Sequence, residues 1–157
     1  MKKFELTAES KINIFGKKLF RIKALISFGD VEEGETGGWI EKEENLEQSS
    51  GNAWVSGNAE VYGNVEVYGN ARVSGNAEVS GNADYTTIHG FGTQFRTTTF
   101  FQCEDKQIRV SCGCFLGTIP EFREQVKNTR EGKIAEEYLM IADLMEKHFV
   151  KEKESGE

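Results

Sequence analysis

From Gly51 to Asp84 the chain writes nearly the same six residues repeatedly: GNAWVS, GNAEVY, GNVEVY, GNARVS, GNAEVS and GNAD. Glycines stand at 51, 57, 63, 69, 75 and 81, each followed by asparagine, and valines stand at 55, 61, 67, 73 and 79. A helix would spread a six-residue valine period around its circumference and leave no apolar face to bury. The period suits short strands joined by tight corners, where glycine supplies a positive φ and asparagine tolerates one. This array sets a repeat architecture.

Taken from the valine, each unit is V-x-G-N-A-x, which resembles the hexapeptide repeat of left-handed parallel β-helices. The resemblance implies triangular coils of three hexads, with an aliphatic residue and, four places on, a small residue pointing inward. Val55 and Ala59, Val61 and Val65, Val67 and Ala71, Val73 and Ala77, and Val79 and Ala83 would fill that prism. The register extends upstream with two insertions: Leu46 lies nine residues before Val55, Ile40 six before Leu46, and Val31 nine before Ile40. The expected fold is mainly β, a short left-handed parallel β-helix of about three coils. Its ends would expose strand edges and apolar cross-section, so the flanking segments must cap it.

Three segments follow: an N-terminal β cap over 1–39, the repeat β-helix over 40–88, and a C-terminal ββαα cap over 89–157. In the first, Ile12, Ile14, Phe20 and Ile22 alternate with polar residues around a turn at Phe15-Gly16-Lys17-Lys18, which predicts a hairpin. Ser27–Trp39 is glycine-rich and loop-like, and Trp39 either plugs the first coil or stacks on a ligand. In the third, Phe95–Gln102 and Gln107–Cys114 predict a second hairpin. With Asp105 and Lys106 as its central residues, Phe101 faces Val110, Thr99 faces Cys112 and Thr97 faces Cys114. Ile108, Val110, Cys112 and Cys114 then share a buried face, leaving Arg96, Thr98, Phe100, Arg109 and Ser111 on the other. Thr118-Ile119-Pro120-Glu121 is a capping box with proline in the first turn, starting a helix through about Thr129. After Gly132 an amphipathic pattern runs from Ile134 to Phe149, and the charged run Lys151–Glu157 is expected to fray.

The whole chain resembles a group of small proteins common in phages and prophages of Gram-positive bacteria. The residues that carry this are Gly37-Gly38-Trp39-Ile40-Glu41, the GNAxV array, Thr97-Thr98-Thr99-Phe100-Phe101, Ser111-Cys112-Gly113-Cys114-Phe115, Gly117-Thr118 and Glu121-Phe122. The chain departs from the group at Thr129-Arg130-Glu131-Gly132, where a His-Gly is common. The resemblance implies a fold and a mobile-element setting rather than an activity.

A net charge of −7 argues against binding a nucleic-acid polymer, which needs clustered Lys and Arg. No stretch approaches the roughly 18 apolar residues of a membrane span, and no apolar signal core follows Met1-Lys2-Lys3, so a cytoplasmic protein is expected. Hexapeptide β-helices include trimeric acyltransferases, whose base is a histidine projecting from a coil. The array carries none, and only His89, just beyond it, is placed to act as one. Cys103, Cys112 and Cys114 fit either a core or an incomplete zinc site, with the core favoured, so neither metal nor cofactor is expected.

Binding has more material. His89, Phe91, Arg96, Thr97, Thr98, Phe100, Arg109 and Ser111 combine guanidinium, hydroxyl and aromatic groups, which suit a phosphate-bearing ring ligand. They equally suit a plain solvated strand face. Residues one coil apart would stack as Trp54 over Arg72, Glu60 over Glu78 and Glu66 over Asp84. Trp54, Tyr62, Tyr68 and Arg72 are the candidate subunit contacts, while the two acidic columns are expected to face water. Related β-helices associate as trimers, so a homotrimer is implied. Three readings stay open: a non-enzymatic phage-type protein sequestering a nucleotide-like host-defence signal, an interaction scaffold, and an acyltransferase using His89.

Overall fold

The computed structural model describes residues 2–150, so the 151–157 tail lies outside the described residues. The described residues are mainly β, with two C-terminal helices and no closed barrel among them. Strands β1 (Phe4–Ile12) and β2 (Lys18–Ala24) form the expected hairpin, although Ile12 and Ile14 stand exposed at its tip. Next comes β3 (Thr36–Ile40), a strand inside the glycine-rich stretch expected to be a loop. The array supplies the two-residue strands β4 (Trp54–Val55), β5 (Glu60–Val61), β6 (Arg72–Val73) and β7 (Glu78–Val79).

Pairing within the array is parallel, with an offset of three hexads. Val55 lies beside Val73 and Val61 beside Val79, and Trp54 beside Arg72 and Glu60 beside Glu78. Pairs that cross the insertion after Leu46 are shifted by three further residues: Ile40 with Val61, and Leu46 with Val67. The buried Asn45 amide donates there to the Gly63 and Val65 carbonyls, at 3.1 and 2.8 Å. Val55, Val61, Val67, Val73 and Val79, with Ala59, Val65, Ala71 and Ala77, are buried in one apolar core that Val31, Ile40 and Leu46 join. Ala83 departs from this set. It sits exposed in the 3-10 turn Asn82–Asp84 that ends the array, and Tyr85 closes the core instead.

β3, β5 and β7 continue into the β1–β2 hairpin as one five-stranded mixed sheet, ordered β1-β2-β3-β5-β7. Some outward neighbours of the inward valines are therefore covered by the chain's own N-terminal segment, whereas Glu66 and Tyr68 stay exposed. Trp54 is fully buried, 5.4 Å from the Phe28 ring, and Tyr62 packs with Leu19 and Trp39. Trp39 does not plug the coil. Ile40 takes the inward place, and Trp39, on the opposite face, lies between the Lys11 ammonium at 4.6 Å and the Arg21 guanidinium at 4.4 Å. Glu60 and Glu78 are also partly covered rather than left in water: Lys11 pairs with Glu60 at 2.8 Å, and Glu78 is buried.

The C-terminal sheet is ordered β11-β10-β9-β8, from β8 (Tyr85–Phe91), β9 (Arg96–Gln102), β10 (Ile108–Cys112) and β11 (Phe115–Thr118). Helices α1 (Ile119–Thr129) and α2 (Gly132–Phe149) pack on it. The capping box forms as expected: the Thr118 hydroxyl accepts from the Glu121 amide, and the Glu121 carboxylate accepts from the Thr118 amide at 2.8 Å. Among the described residues, no helix is long and apolar enough to cross a membrane.

Candidate functional site

The register of β9 and β10 decides which side chains converge. Val110 lies opposite Phe100, Ser111 opposite Thr99 and Cys112 opposite Thr98, one residue away from the expected alignment. The cause is the turn. Lys106 adopts φ 69, and Cys103 pairs with Gln107, so Glu104-Asp105-Lys106 forms a three-residue loop instead of a two-residue one. A slip of one residue exchanges the faces of a strand. Arg96, Thr98 and Phe100 therefore share a face with Val110 and Cys112, while Thr97, Thr99 and Phe101 share the other with Arg109 and Ser111.

Both faces of β9 are buried at its centre. Phe101 and Tyr85 close the array's core, and the Arg72 amide donates to the Thr99 hydroxyl at 3.0 Å. On the opposite face, Phe100 meets the Phe122 ring edge-on, and the Thr98 hydroxyl donates to the Cys112 sulfur at 3.3 Å. Thr98 and Phe100 thus belong to the core and are unavailable to a ligand, and Phe91 packs against the helix-side core. Arg109 is committed as well. It forms a two-pronged ion pair with Asp105, both contacts at 2.9 Å, which holds the Asp105 carboxyl below its usual range and raises the guanidinium.

The remaining predicted residues do come together. His89, Arg96, Thr97 and Ser111 line an outer cleft of about 760 Å³ where the C-terminal sheet meets the array. The His89 Nδ1 lies 2.7 Å from the Thr97 hydroxyl. Arg72, offered by the sequence as a subunit contact, lines this cleft too and is paired with Asp30. Trp54 and Tyr62 are too deeply buried to contact a second subunit; Tyr68, 60% exposed, is the remaining aromatic of that set.

An inner cleft of about 450 Å³ opens between the sheet and the helices, and Arg96 and Cys114 line both clefts. Its walls include Phe115, Phe122 and Tyr138, and Arg130 stands at the end of α1. Arg96 bonds only the Gln94 side chain, and neither Arg96 nor Arg130 has a carboxylate partner among the described residues. Tyr138 is 1% exposed, and its buried hydroxyl has no hydrogen-bond partner among the described residues. Burial, and then the neighbouring Cys112 thiol, push its phenol up, while Arg130 and Arg96 pull it down. Two glycines make room for these groups: a β-carbon on Gly113 would overlap the Arg96 guanidinium, and one on Gly92 would stand 2.5 Å from the Tyr138 hydroxyl.

Phe115, Arg130 and Tyr138 were not legible as site residues. Tyr138 reads as one more apolar position on an amphipathic helix, and Arg130 as a helix-end charge. The cysteines separate instead of sharing a face. Cys103 is buried at the end of β9, Cys112 is half-buried towards the helices, and Cys114 is exposed in the two-residue turn that Gly113 opens with φ 59. Among the described residues, no three His, Cys, Asp or Glu side chains cluster to hold a metal. Compared with known protein families and with curated proteins, the chain matches none.

Proposed function

We propose that the protein is a non-enzymatic binding protein for a small phosphate-bearing, nucleotide-like ligand, held at the junction of its C-terminal cap and its repeat array. One observation carries the reading: two guanidiniums without carboxylate partners among the described residues, Arg96 and Arg130, face a cleft whose wall includes the part-exposed Phe115 ring. A guanidinium recognises phosphate through its planar set of donors, and the Phe115 ring offers stacking surface to a base. In this reading the array is a short left-handed β-helix that serves as a rigid platform, and a homotrimer forms through surfaces that include Tyr68. The phage-like sequence motifs favour sequestration of a host-defence signal in the host cytoplasm.

The test is thermal denaturation with a panel of nucleotides, because a ligand that binds only the folded state stabilises it by about 2.7 kcal/mol at one hundred times its Kd. The expected result is a Tm rise with a nucleotide that disappears in Arg96→Gln and in Arg130→Gln and persists in Arg109→Ala. A rise that vanishes only in Arg109→Ala would overturn the site.

A further inference from the structure

Glu60 and Glu78 occupy the same place in their hexads, eighteen residues apart, so the parallel pairing of β5 with β7 sets them side by side. The β9–β10 turn extends this column. Its Glu104 amide donates to the Asn76 carbonyl at 3.0 Å, and Ala77 pairs with Cys103. Like charges directly opposite one another in a sheet repel and gain from facing water. The N-terminal hairpin reaches over them instead: the Asn13 amide donates to the Glu60 carboxylate at 3.2 Å, beside the Lys11 pair. A cleft of about 440 Å³ lies here, lined by the three glutamates and by Ile12, Ile14 and Phe15 of the hairpin tip.

Glu60 is compensated, but Glu78 is not. Glu78 is 9% exposed, and among the described residues its carboxylate has no hydrogen-bond or ion-pair partner. Glu104 lacks an ion-pair partner among them too. Lys11 and Lys106 set against three glutamates leave one negative charge over. An uncompensated buried carboxylate is destabilising, so a cation that reaches it gains a charge-assisted bond at a site already stripped of water. The hairpin tip supplies the other half of the recognition. Ile14 is 90% and Phe15 55% exposed, an apolar surface that covers a hydrocarbon stem, and the Phe15 ring face attracts an ammonium. Among the described residues, no three carboxylates cluster closely enough to hold a metal ion, so an extended organic cation fits better than a compact one. We propose that this cleft is a second binding site, for a small organic cation that joins a primary ammonium to an apolar stem, with the head on Glu78 and the stem against Ile14 and Phe15. The cleft shares no lining residue with the two that meet at Arg96, so the site stands independently of the nucleotide reading.

NMR titration of the intact chain at constant ionic strength with hexylamine, hexanol and ammonium chloride tests this. Hexylamine is expected to shift the Ile14 and Glu78 amides and to bind at least about tenfold more tightly than either of the others. Glu78→Gln keeps the bulk and removes the charge, and hexylamine affinity is expected to fall about tenfold even though the variant itself melts higher at pH 7. Glu66→Gln makes the same charge change at an exposed place and should leave affinity unchanged. Ile14→Ser, at the exposed tip, should weaken hexylamine and not ammonium. Hexanol binding as tightly as hexylamine, equal losses in Glu78→Gln and Glu66→Gln, a Glu78→Gln variant that melts higher with hexylamine affinity intact, or no binding of hexylamine would each overturn the site.

Discussion

The array and the C-terminal cap bury their apolar residues by different rules. In the array the inward places from Val55 to Val79 are set by a six-residue period, and parallel pairing at an offset of three hexads follows from it. In the cap no period exists. Its geometry depends on single residues with unusual conformations, such as Lys106 at φ 69 and Phe95 at φ 51, and on glycines that admit a neighbouring side chain. Repetition makes the array robust and chemically plain, while irregularity lets the cap gather Arg96, Arg130 and Tyr138 around a cleft.

The sharpest test of this contrast lies on β9, whose two faces belong to the two regions. Phe101→Ala and Phe100→Ala are each expected to cost about 3–5 kcal/mol in denaturant-induced unfolding. Because the shared strand couples both cores, each variant should unfold in one transition. A two-step curve in which the array's transition stays unshifted would show the regions to be independent.

Next come the corner glycines. Gly69 has φ 67 with nothing within 4 Å of a added β-carbon, so Gly69→Ala meets only the left-handed backbone cost of about 1–2 kcal/mol. Gly51 has φ 71, and a β-carbon there overlaps the Gly69 carbonyl, so Gly51→Ala should lower stability further. Equal losses in the same unfolding assay would mean that the coils are not stacked this closely. Thr118→Ala, which removes the cap of α1, should cost about 1 kcal/mol and leave the array's own unfolding contacts intact.

The smallest effect concerns Glu78. Burial chiefly raises its carboxyl above the usual range, with Glu60 beside it adding to the rise and Lys106 opposing it. Its proton is held to higher pH in the folded chain than in the unfolded one, so ionised Glu78 costs stability above the folded value and not below the unfolded one. Glu78→Gln should therefore raise Tm at pH 7, and the gain should fade as pH drops through the carboxylate range. A gain that is constant with pH would point to packing rather than charge.

What the sequence disclosed follows the same divide. The valine period placed Val55 over Val73 and Val61 over Val79, and the three extra residues after Leu46 explain the shifted pairs above them. β3 was hidden because Gly37 and Gly38 look like loop residues. They are small because the strand runs against the array: β-carbons on them would lie 2.6 Å from Ile22 and Trp54 and 2.8 Å from Val55. β8 was missed because Thr86, Thr87, His89 and Gly90 show no apolar alternation. The β9–β10 slip came from a lysine in a conformation that glycine or asparagine usually signals. Half of the expected ligand face fell to that slip and to burial. Arg96, Thr97, His89 and Ser111 line an open cleft because they sit near strand ends, where the sheet meets open space.

The three-hexad offset also makes the molecule's height a modular quantity. Inserting eighteen residues of the repeat would lift the cap by one interstrand step of about 4.8 Å and keep its facing direction. Inserting six would break the three-hexad pairing offset and pull Arg72, Asn52 and Asn70 away from Arg96, so the outer cleft tolerates growth only in whole eighteen-residue steps.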